Sequence, residues 1–287
     1  MRIRAAGLSS RGSRLENEDH YCIGQYVGQG QLYSVEYDCD SRSFRDYGLL
    51  FAVADGIGAY AGGAYASKSA LLALQHQFYG EKRTGCSWAS LAGCLQRYLR
   101  AVQSGLLEAL SEKPGLTDAG TTLAEVVLMP PDLLVVFHMG DSRVLRASAG
   151  FVRALTVDHT VLGQDIASGR ITELEASQNP ELLRLTRALG AGDLFGLEVG
   201  EERSWAPGDR FMLCTDGFHG VGSGLTRSGI RRSLVSELDT TALVKDLLAE
   251  ALATDGRDNA TLVLVDIEDG GKGDGQENDE GIFLLSG

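Results

Sequence analysis

Several segments of this 287-residue chain share one pattern, in which an apolar run meets an acidic residue at its end. Apolar runs of roughly four to eight residues are typical of buried strands, so each acid lies where a strand enters or leaves the core. If the strands are neighbours, their ends converge and the acids cluster, which constrains the fold strongly. The acids are Asp55 after FAVA, Asp141 after VVFHMG, Asp216 after FMLCT, Asp258 before ATLVLV, and Glu18 with Asp19 before YCIG.

Such a cluster of carboxylates is unfavourable unless a cation offsets its charge. Oxygen ligands without His or Cys favour a hard ion such as Mg²⁺ or Mn²⁺. Gly56 follows Asp55 directly and leaves a backbone carbonyl accessible as a further ligand. Two such ions can activate a water molecule and direct it at phosphorus. One strand-end acid alone is more typical of a turn or a cap, but the repeated pattern predicts a metal site.

The predicted elements do not alternate regularly between strands and helices. This order favours an α+β fold in which helices cover the outer faces of mostly antiparallel sheets. The segment 29–47 is expected to form an elaborated hairpin, and Thr240 is the expected N-cap of the last helix. Strands are indicated at 48–54, 122–129, 132–139, 143–147, 151–156, 210–215 and 260–267, and helices at 64–79, 87–112 and 240–253.

Composition limits the classes of function. The net charge of −13 argues against nucleic-acid binding, because the phosphate backbone repels an acidic surface. No apolar run reaches the roughly 18 residues of a membrane span, and the N-terminus lacks the apolar core of a signal peptide. The five cysteines lack CxxC spacing, which favours reduced thiols and a cytoplasmic location. The acidic, glycine-rich tail 268–287 is expected to be disordered.

The ordered motifs of the chain resemble the protein phosphatase 2C family of metal-dependent Ser/Thr protein phosphatases, bacterial type. The resemblance covers about residues 7–266 and implies a catalytic domain over 1–267. It also implies a four-layer α/β/β/α sandwich of two mostly antiparallel sheets flanked by helices. The motifs are RLENED, FAVADGIG, AGTT, GDSR, LTVDHT, LTRALG, GDRFMLCTDG and GRDNATLVLV.

The resemblance implies a role for each acid of the pattern. Two Mn²⁺ or Mg²⁺ ions, with a third bound more weakly, would hold a bridging hydroxide. That hydroxide attacks phosphoserine or phosphothreonine in line, without a covalent intermediate. The implied metal ligands are Asp55, Gly56, Asp216, Asp258 and Glu18, with Asp141 for the third ion. Asp19 would order metal-bound water, Arg14 would bind the substrate phosphate, and Asn259 is expected to support Asp258 by hydrogen bonding.

One position departs from the family pattern. Members of the family commonly carry DGxGGH, whose His is proposed to protonate the leaving oxygen, whereas this chain reads DGIGAY. Tyr60 occupies that position, and a phenol with a pKa of about 10 is a poorer acid near neutral pH than imidazole. His219 is the other candidate donor, while His159 is expected to be structural. The residues 159–184 match the family's flap beside the active site.

Two rival functions remain open at this point. A non-catalytic phosphatase-like module that binds phosphoproteins is suggested by Tyr60, although the acids are intact. A metal-dependent phosphodiesterase or nuclease is disfavoured by the acidity and by the absence of the usual His ligands. The expected partners are phosphorylated Ser/Thr proteins and a cognate Ser/Thr kinase, and the expected state is a monomer outside membranes.

Overall fold

The computed structural model describes residues 1–58, 62–113, 116, 118–163, 165, 168, 170–171, 184–190, 203–219, 227–254 and 256–269. Three predictions fall wholly or largely outside these ranges. They are the role of Tyr60, the structure of the tail beyond residue 269, and much of the predicted flap at 159–184.

Two six-stranded sheets form the centre of the molecule, and every strand pair in the described ranges is antiparallel. In spatial order, the first sheet contains β11 (Phe151–Ala154), β10 (Arg143–Ser148), β13 (Arg210–Cys214), β14 (Ala260–Glu268), β1 (Arg2–Ser10) and β4 (Tyr33–Asp38). The second contains β12 (Arg203–Ser204), β9 (Leu133–Met139), β8 (Leu123–Met129), β5 (Leu49–Ala54), β2 (His20–Ile23) and β3 (Tyr26–Gly28). A short pair, β6 (Gly56–Ile57) and β7 (Gly120–Thr121), lies beside them.

Helices cover the outer face of each sheet. Residues of α2 (Gly62–Tyr79) and α3 (Trp88–Ser111) pack on the second sheet, and residues of α4 (Arg227–Leu234) and α5 (Thr240–Thr254) pack on the first. A third apolar layer, which includes Phe51, Phe211 and Val263, fills the space between the sheets. The molecule is therefore the predicted α/β/β/α sandwich. The helices are α1 (Arg42–Tyr47), α2 (Gly62–Tyr79), α3 (Trp88–Ser111), α4 (Arg227–Leu234) and α5 (Thr240–Thr254).

Strand β14 shows why the sequence folds in this way. All but its last residue are buried, and successive side chains point to opposite faces of the sheet. Leu262 and Leu264 pack towards the helices, whereas Val263 and Val265 pack into the layer between the sheets. A strand that is covered on both faces needs apolar residues at nearly every position, as the run ATLVLV provides.

Three features of the fold differ from the expectations or were not anticipated. The segment 29–47 is not a hairpin, because its strand β4 pairs with β1 of the first sheet, whereas the preceding strand β3 belongs to the second. Asp239, rather than Thr240, accepts the free amides at the start of α5, while the Thr240 hydroxyl donates to Asp266 at 2.6 Å. The N-terminal strand β1 was not predicted, because its Arg and Ser residues interrupt the apolar run. It pairs with β14 on one side and with β4 on the other.

Among the described residues, no helix combines the length and the apolar character that a membrane-spanning segment requires.

Candidate active site

The strand ends that carry the acids lie at one edge of the sandwich. In the first sheet, the pairing of Arg143 with Cys214 and of Cys214 with Leu262 aligns the start of β10, the end of β13 and the start of β14. In the second sheet, His20 pairs with Ala54, which aligns the start of β2 with the end of β5. The acids that flank these strands therefore come together from both sheets.

Electrostatic coupling shows how closely the acids approach one another. Withdrawal from water is the largest cause that raises the pKa of Asp55 well above its usual value, followed by the charges of Asp19, Asp216, Asp141 and Asp258. Burial also raises the pKa of Asp19 to about 7. Five carboxyl groups thus share one electrostatic environment.

Two further shifts involve the acids that flank strands of the first sheet. Burial first, and then the charge of Asp258, raises the pKa of Asp216 to about 6. Burial and the charge of Asp216 raise the pKa of Asp141 to about 8. Positive charge brought to such an arrangement lowers the pKa values of the carboxyl groups and favours their ionised forms.

Asp19 lies at the bottom of the cluster with no solvent-exposed surface. The Thr215 hydroxyl donates to its Oδ2 at 2.8 Å, but its buried Oδ1 has no hydrogen-bond partner. A buried carboxylate oxygen without a donor is costly, so its retention in the cluster points to a positively charged or water ligand. This observation fits the divalent ion that the sequence predicts.

Glu18 joins the cluster to the start of α2. Its carboxylate accepts a hydrogen bond from the Gly63 amide, and burial, followed by the charge of Glu16, raises its pKa. A Cβ at Gly56 would lie 2.2 Å from the Gly63 carbonyl carbon and 2.7 Å from the Glu18 carbonyl oxygen. Only glycine allows the Asp55-Gly56 turn, Glu18 and the helix start to pack this closely.

Arg14 reaches the cluster from the loop between β1 and β2. Its Nη2 donates to Asp258 Oδ2 at 2.7 Å, and this hydrogen bond is the largest cause that raises the pKa of Arg14. The charges of Asp216 and Asp55 act on it as well. The side chain is 59% exposed, so the guanidinium group stands at the rim of the acids and faces solvent.

Asn259 holds this loop in place. Its Nδ2 donates to the carbonyls of Arg11 and Glu16, both at 2.9 Å, and its Oδ1 accepts the Glu18 amide at 2.8 Å. Its own amide donates to Asp258 at 2.8 Å. This contact with Asp258 comes from the backbone of Asn259, so support of Asp258 by the side chain stays a prediction, whereas the side chain fixes the backbone that carries Arg14 and Glu18.

The residues that support the acids form a hydrogen-bonded layer beneath them. Thr121 donates to the Asp55 carbonyl and Thr122 accepts the Asp55 amide, both at 2.9 Å. Thr122 in turn shares a 2.7 Å hydrogen bond with Ser142. Arg143 binds Asp158 through two hydrogen bonds of 2.8 and 2.6 Å. These contacts indicate structural roles for the residues of the motifs AGTT and GDSR.

The two histidines differ in their surroundings. His159 is buried and ties its backbone and Nδ1 to Gly140, directly before Asp141, which agrees with a structural role. The His219 amide donates to the Asp216 carbonyl at 2.9 Å, and its charge acts on Asp158, which is also bound by Arg143.

Two functional supports escaped the sequence analysis. Thr215 donates to Asp19, and Asn17 accepts the Asp19 amide at 3.2 Å while it donates to Ser9 at 2.7 Å. Both residues stand immediately before an acid of the cluster, in CTDG and NED, and this adjacency is the signal that could have identified them.

No three Asp, Glu, His or Cys side chains in the described ranges are arranged so that they could hold a metal ion as they stand. The assignment of ligands to individual ions therefore stays a prediction. Three properties agree with it, namely the raised pKa values, the oxygen-only donor set, and the orphaned oxygen of Asp19.

The four-layer sandwich, with acids of both sheets at one edge and an arginine at their rim, has the layers and the acidic edge that the motifs predict. A model of the protein phosphatase 2C family matches residues 38–264. The chain belongs to this family, which confirms the resemblance that the motifs indicated.

Named relatives agree with this membership. The serine/threonine protein phosphatase PstP of Mycobacterium tuberculosis is 32% identical over 222 residues, which cover 77% of this chain but only 40% of PstP. The serine/threonine phosphatase stp of Listeria innocua is 24% identical, with 77% of this chain and 86% of that protein covered. The structure of the PstP catalytic domain in complex with two manganese ions superposes with a TM-score of 0.71 at 28% identity, and covers 94% of this chain and all of that one.

Proposed function

We propose that this chain is a Mn²⁺- or Mg²⁺-dependent phosphatase of phosphoserine and phosphothreonine in proteins. The observation that carries the proposal is the gathering of carboxylates from both sheets around a buried, unpartnered Asp19 oxygen, with Arg14 at the rim. The manganese ions in the PstP catalytic domain support the same choice of cofactor.

The side chains divide the work according to their position. Arg14 is exposed and always protonated, so it can exchange its contact with Asp258 for two oxygens of a substrate phosphate. Glu18, Asp55, Asp216 and Asp258, with the Gly56 carbonyl, would hold two divalent ions, and Asp141 with Asp216 a third. The ions, when bound, lower the pKa of water and offset phosphoryl charge. Asp19 would accept a hydrogen bond from that water.

The leaving oxygen needs a proton, for which Tyr60 and His219 are the proposed donors. His219 lies near Asp158. Its backbone amide donates to the Asp216 carbonyl, and its charge acts on Asp158. His219 would therefore donate the proton to a substrate that binds on the Asp158 side of the acids.

The proposed partners are phosphorylated proteins and the Ser/Thr kinase that modifies them, since the named relatives are Ser/Thr phosphatases. A monomer and a cytoplasmic location are further parts of the proposal, and the free cysteines of the described residues support the location. The net charge of −13 supports a partner other than nucleic acid.

Hydrolysis of p-nitrophenyl phosphate and of a phosphothreonine peptide, with and without Mn²⁺, tests the proposal. We expect Mn²⁺-dependent turnover by the wild type and a loss of about 10³-fold in Asp216→Asn, which removes one carboxylate from the cluster. Asp40→Asn changes an exposed acid outside the cluster and serves as the matched control. Binding of the phosphopeptide without turnover by the wild type would instead identify a non-catalytic phosphoprotein-binding module.

A further inference from the structure

Leu15 is an apolar residue that the catalytic assignment does not use. It directly follows Arg14 and is 93% exposed, which makes it the most exposed large apolar side chain of the described ranges. A single exposed leucine is common on protein surfaces and has no meaning by itself. Leu15, however, lies directly beside the proposed phosphate-binding arginine, which makes it a candidate for contact with a bound substrate.

The backbone on both sides of Leu15 is fixed. The Arg14 amide donates to the Arg11 carbonyl at 3.2 Å, and Arg11 Nη1 donates to the Leu15 carbonyl at 3.2 Å. On the other side, the Glu16 carbonyl accepts from Asn259 at 2.9 Å. Leu15 therefore cannot turn into the core unless these hydrogen bonds break.

Contacts with the loop before β14 fix the start of the same turn. The Ser13 amide donates to the Gly256 carbonyl at 2.8 Å. Gly12 has a φ of +57°, and a Cβ there would lie 2.2 Å from the Asp258 carbonyl oxygen. The turn is thus built against the residue that Arg14 binds, so Leu15 is held in a constant position relative to the site.

We propose that Leu15 determines substrate specificity by contacting an apolar side chain next to the phosphorylated residue. The inference rests on the proposed function, because it takes the phosphate to bind at Arg14. Neighbouring Cα atoms are about 3.8 Å apart, so a peptide whose phosphate reaches Arg14 passes its adjacent residues within reach of Leu15. Because the backbone of Leu15 is already fixed, covering this residue costs only the rotamer freedom of its side chain.

This contact acts on ground state and transition state alike, because it lies outside the reacting atoms. Its loss should therefore raise KM and leave kcat unchanged. A small substrate without a peptide chain cannot make the contact, so its kinetic constants should not depend on Leu15.

The experiment compares wild type, Leu15→Ala, Leu15→Met and Phe151→Ala with Mn²⁺ present. Phe151 is 81% exposed on β11, away from Asp141 at the other end of β10, and is the matched control. The substrates are p-nitrophenyl phosphate and two phosphothreonine peptides that differ only in having leucine or glycine on both sides of the phosphothreonine.

We expect Leu15→Ala to raise KM for the leucine peptide about five- to tenfold, a loss of about 1.4 kcal/mol at the upper limit. Turnover of p-nitrophenyl phosphate should stay unchanged, Leu15→Met should retain the preference for leucine, and Phe151→Ala should have no effect. Equal use of both peptides by the wild type, or an equal loss on all three substrates in Leu15→Ala, would overturn the inference while leaving the phosphatase activity intact. If the wild type turns over none of the substrates, the proposed function fails first and the inference with it.

Discussion

Glu125 is a buried acid outside the candidate active site. It lies in β8 between Ala52 and Phe137 on the neighbouring strands, is fully buried, and has no hydrogen-bond partner for either carboxylate oxygen. Burial raises its pKa to about 8, although the charge of Arg83 opposes the shift. The side chain is thus protonated at neutral pH and contributes no salt bridge to the core.

The raised pKa predicts how stability depends on pH. The folded chain holds the Glu125 proton up to about pH 8, whereas the unfolded chain releases it near 4.5, so the contribution of Glu125 to stability is highest below pH 4.5 and falls until about pH 8. At pH 7 this difference costs roughly 3 kcal/mol. Glu125→Leu should therefore raise the free energy of unfolding at pH 7 and 8, with a smaller gain at pH 5.

Urea unfolding of wild type and variant at pH 5, 7 and 8 measures this difference. Glu36→Gln, in an exposed salt bridge with Arg2 and Arg4, controls for the loss of any acid. A gain from Glu125→Leu that does not change with pH would mean that Glu125 is not the titrating group.

At the scale of the element, the start of α2 is shaped by the active site rather than by helix propensity. Gly62 and Gly63 open the helix, although glycine is a poor helix former. A Cβ at Gly63 would lie 2.7 Å from the Gly56 carbonyl carbon and 2.8 Å from Glu18 Oε1. The glycine is needed because the helix start, the Asp55-Gly56 turn and Glu18 approach closely.

Two glycine substitutions should accordingly have opposite effects. Gly63→Ala should destabilise the fold by about 1–3 kcal/mol, since the neighbouring backbone must shift. Gly105→Ala in α3 should stabilise it by about 0.5–1 kcal/mol, because no atom lies within 4 Å of the added Cβ and alanine favours a helix. Thermal and urea unfolding of both variants measure the two signs, and stabilisation by Gly63→Ala would contradict the close approach.

At the scale of the whole molecule, the acidic cluster joins the two sheets. Asp55 and Glu18 belong to the second sheet, whereas Asp141, Asp216 and Asp258 flank strands of the first. Repulsion among these carboxylates works against the packing of the sheets at this edge. The clustered carboxylates therefore destabilise the folded chain when no cation is bound, whereas a bound cation would make the cluster stabilising.

This coupling predicts a link between metal binding and stability. Mn²⁺ at about 100 times its dissociation constant should raise the free energy of unfolding of the wild type by about 2.7 kcal/mol. Asp55→Asn should be more stable than the wild type in the presence of a chelator, because repulsion is relieved, but should respond weakly to Mn²⁺. Differential scanning fluorimetry with a chelator or with Mn²⁺ measures both effects.

The variant Asp40→Asn again serves as control and should respond to Mn²⁺ as the wild type does. Equal stabilisation of Asp55→Asn and wild type by Mn²⁺ would mean that the ion binds outside the cluster.

Several properties of this protein follow from its sequence alone. Apolar runs and helical spacing predict β5, β8, β9, β13, β14, α2, α3 and α5, because periodicity is a local property of the chain. The acids at the ends of these runs predict the cluster, and the order of the motifs predicts the family, which the family model confirms.

Other properties were decided only by the tertiary structure. Arg2 pairs with Glu268, 266 positions further along the chain, and β4 pairs with β1 in the first sheet although β3 before it belongs to the second. Residues far away in sequence also decide three further features. They are the buried Asp19 oxygen without a hydrogen-bond partner, the hydrogen bonds by which Asn259 holds the loop of Glu18, and the buried position of Glu125. Such contacts are set by how strands pair and layers pack, and local patterns contain no information about which distant strand becomes the neighbour.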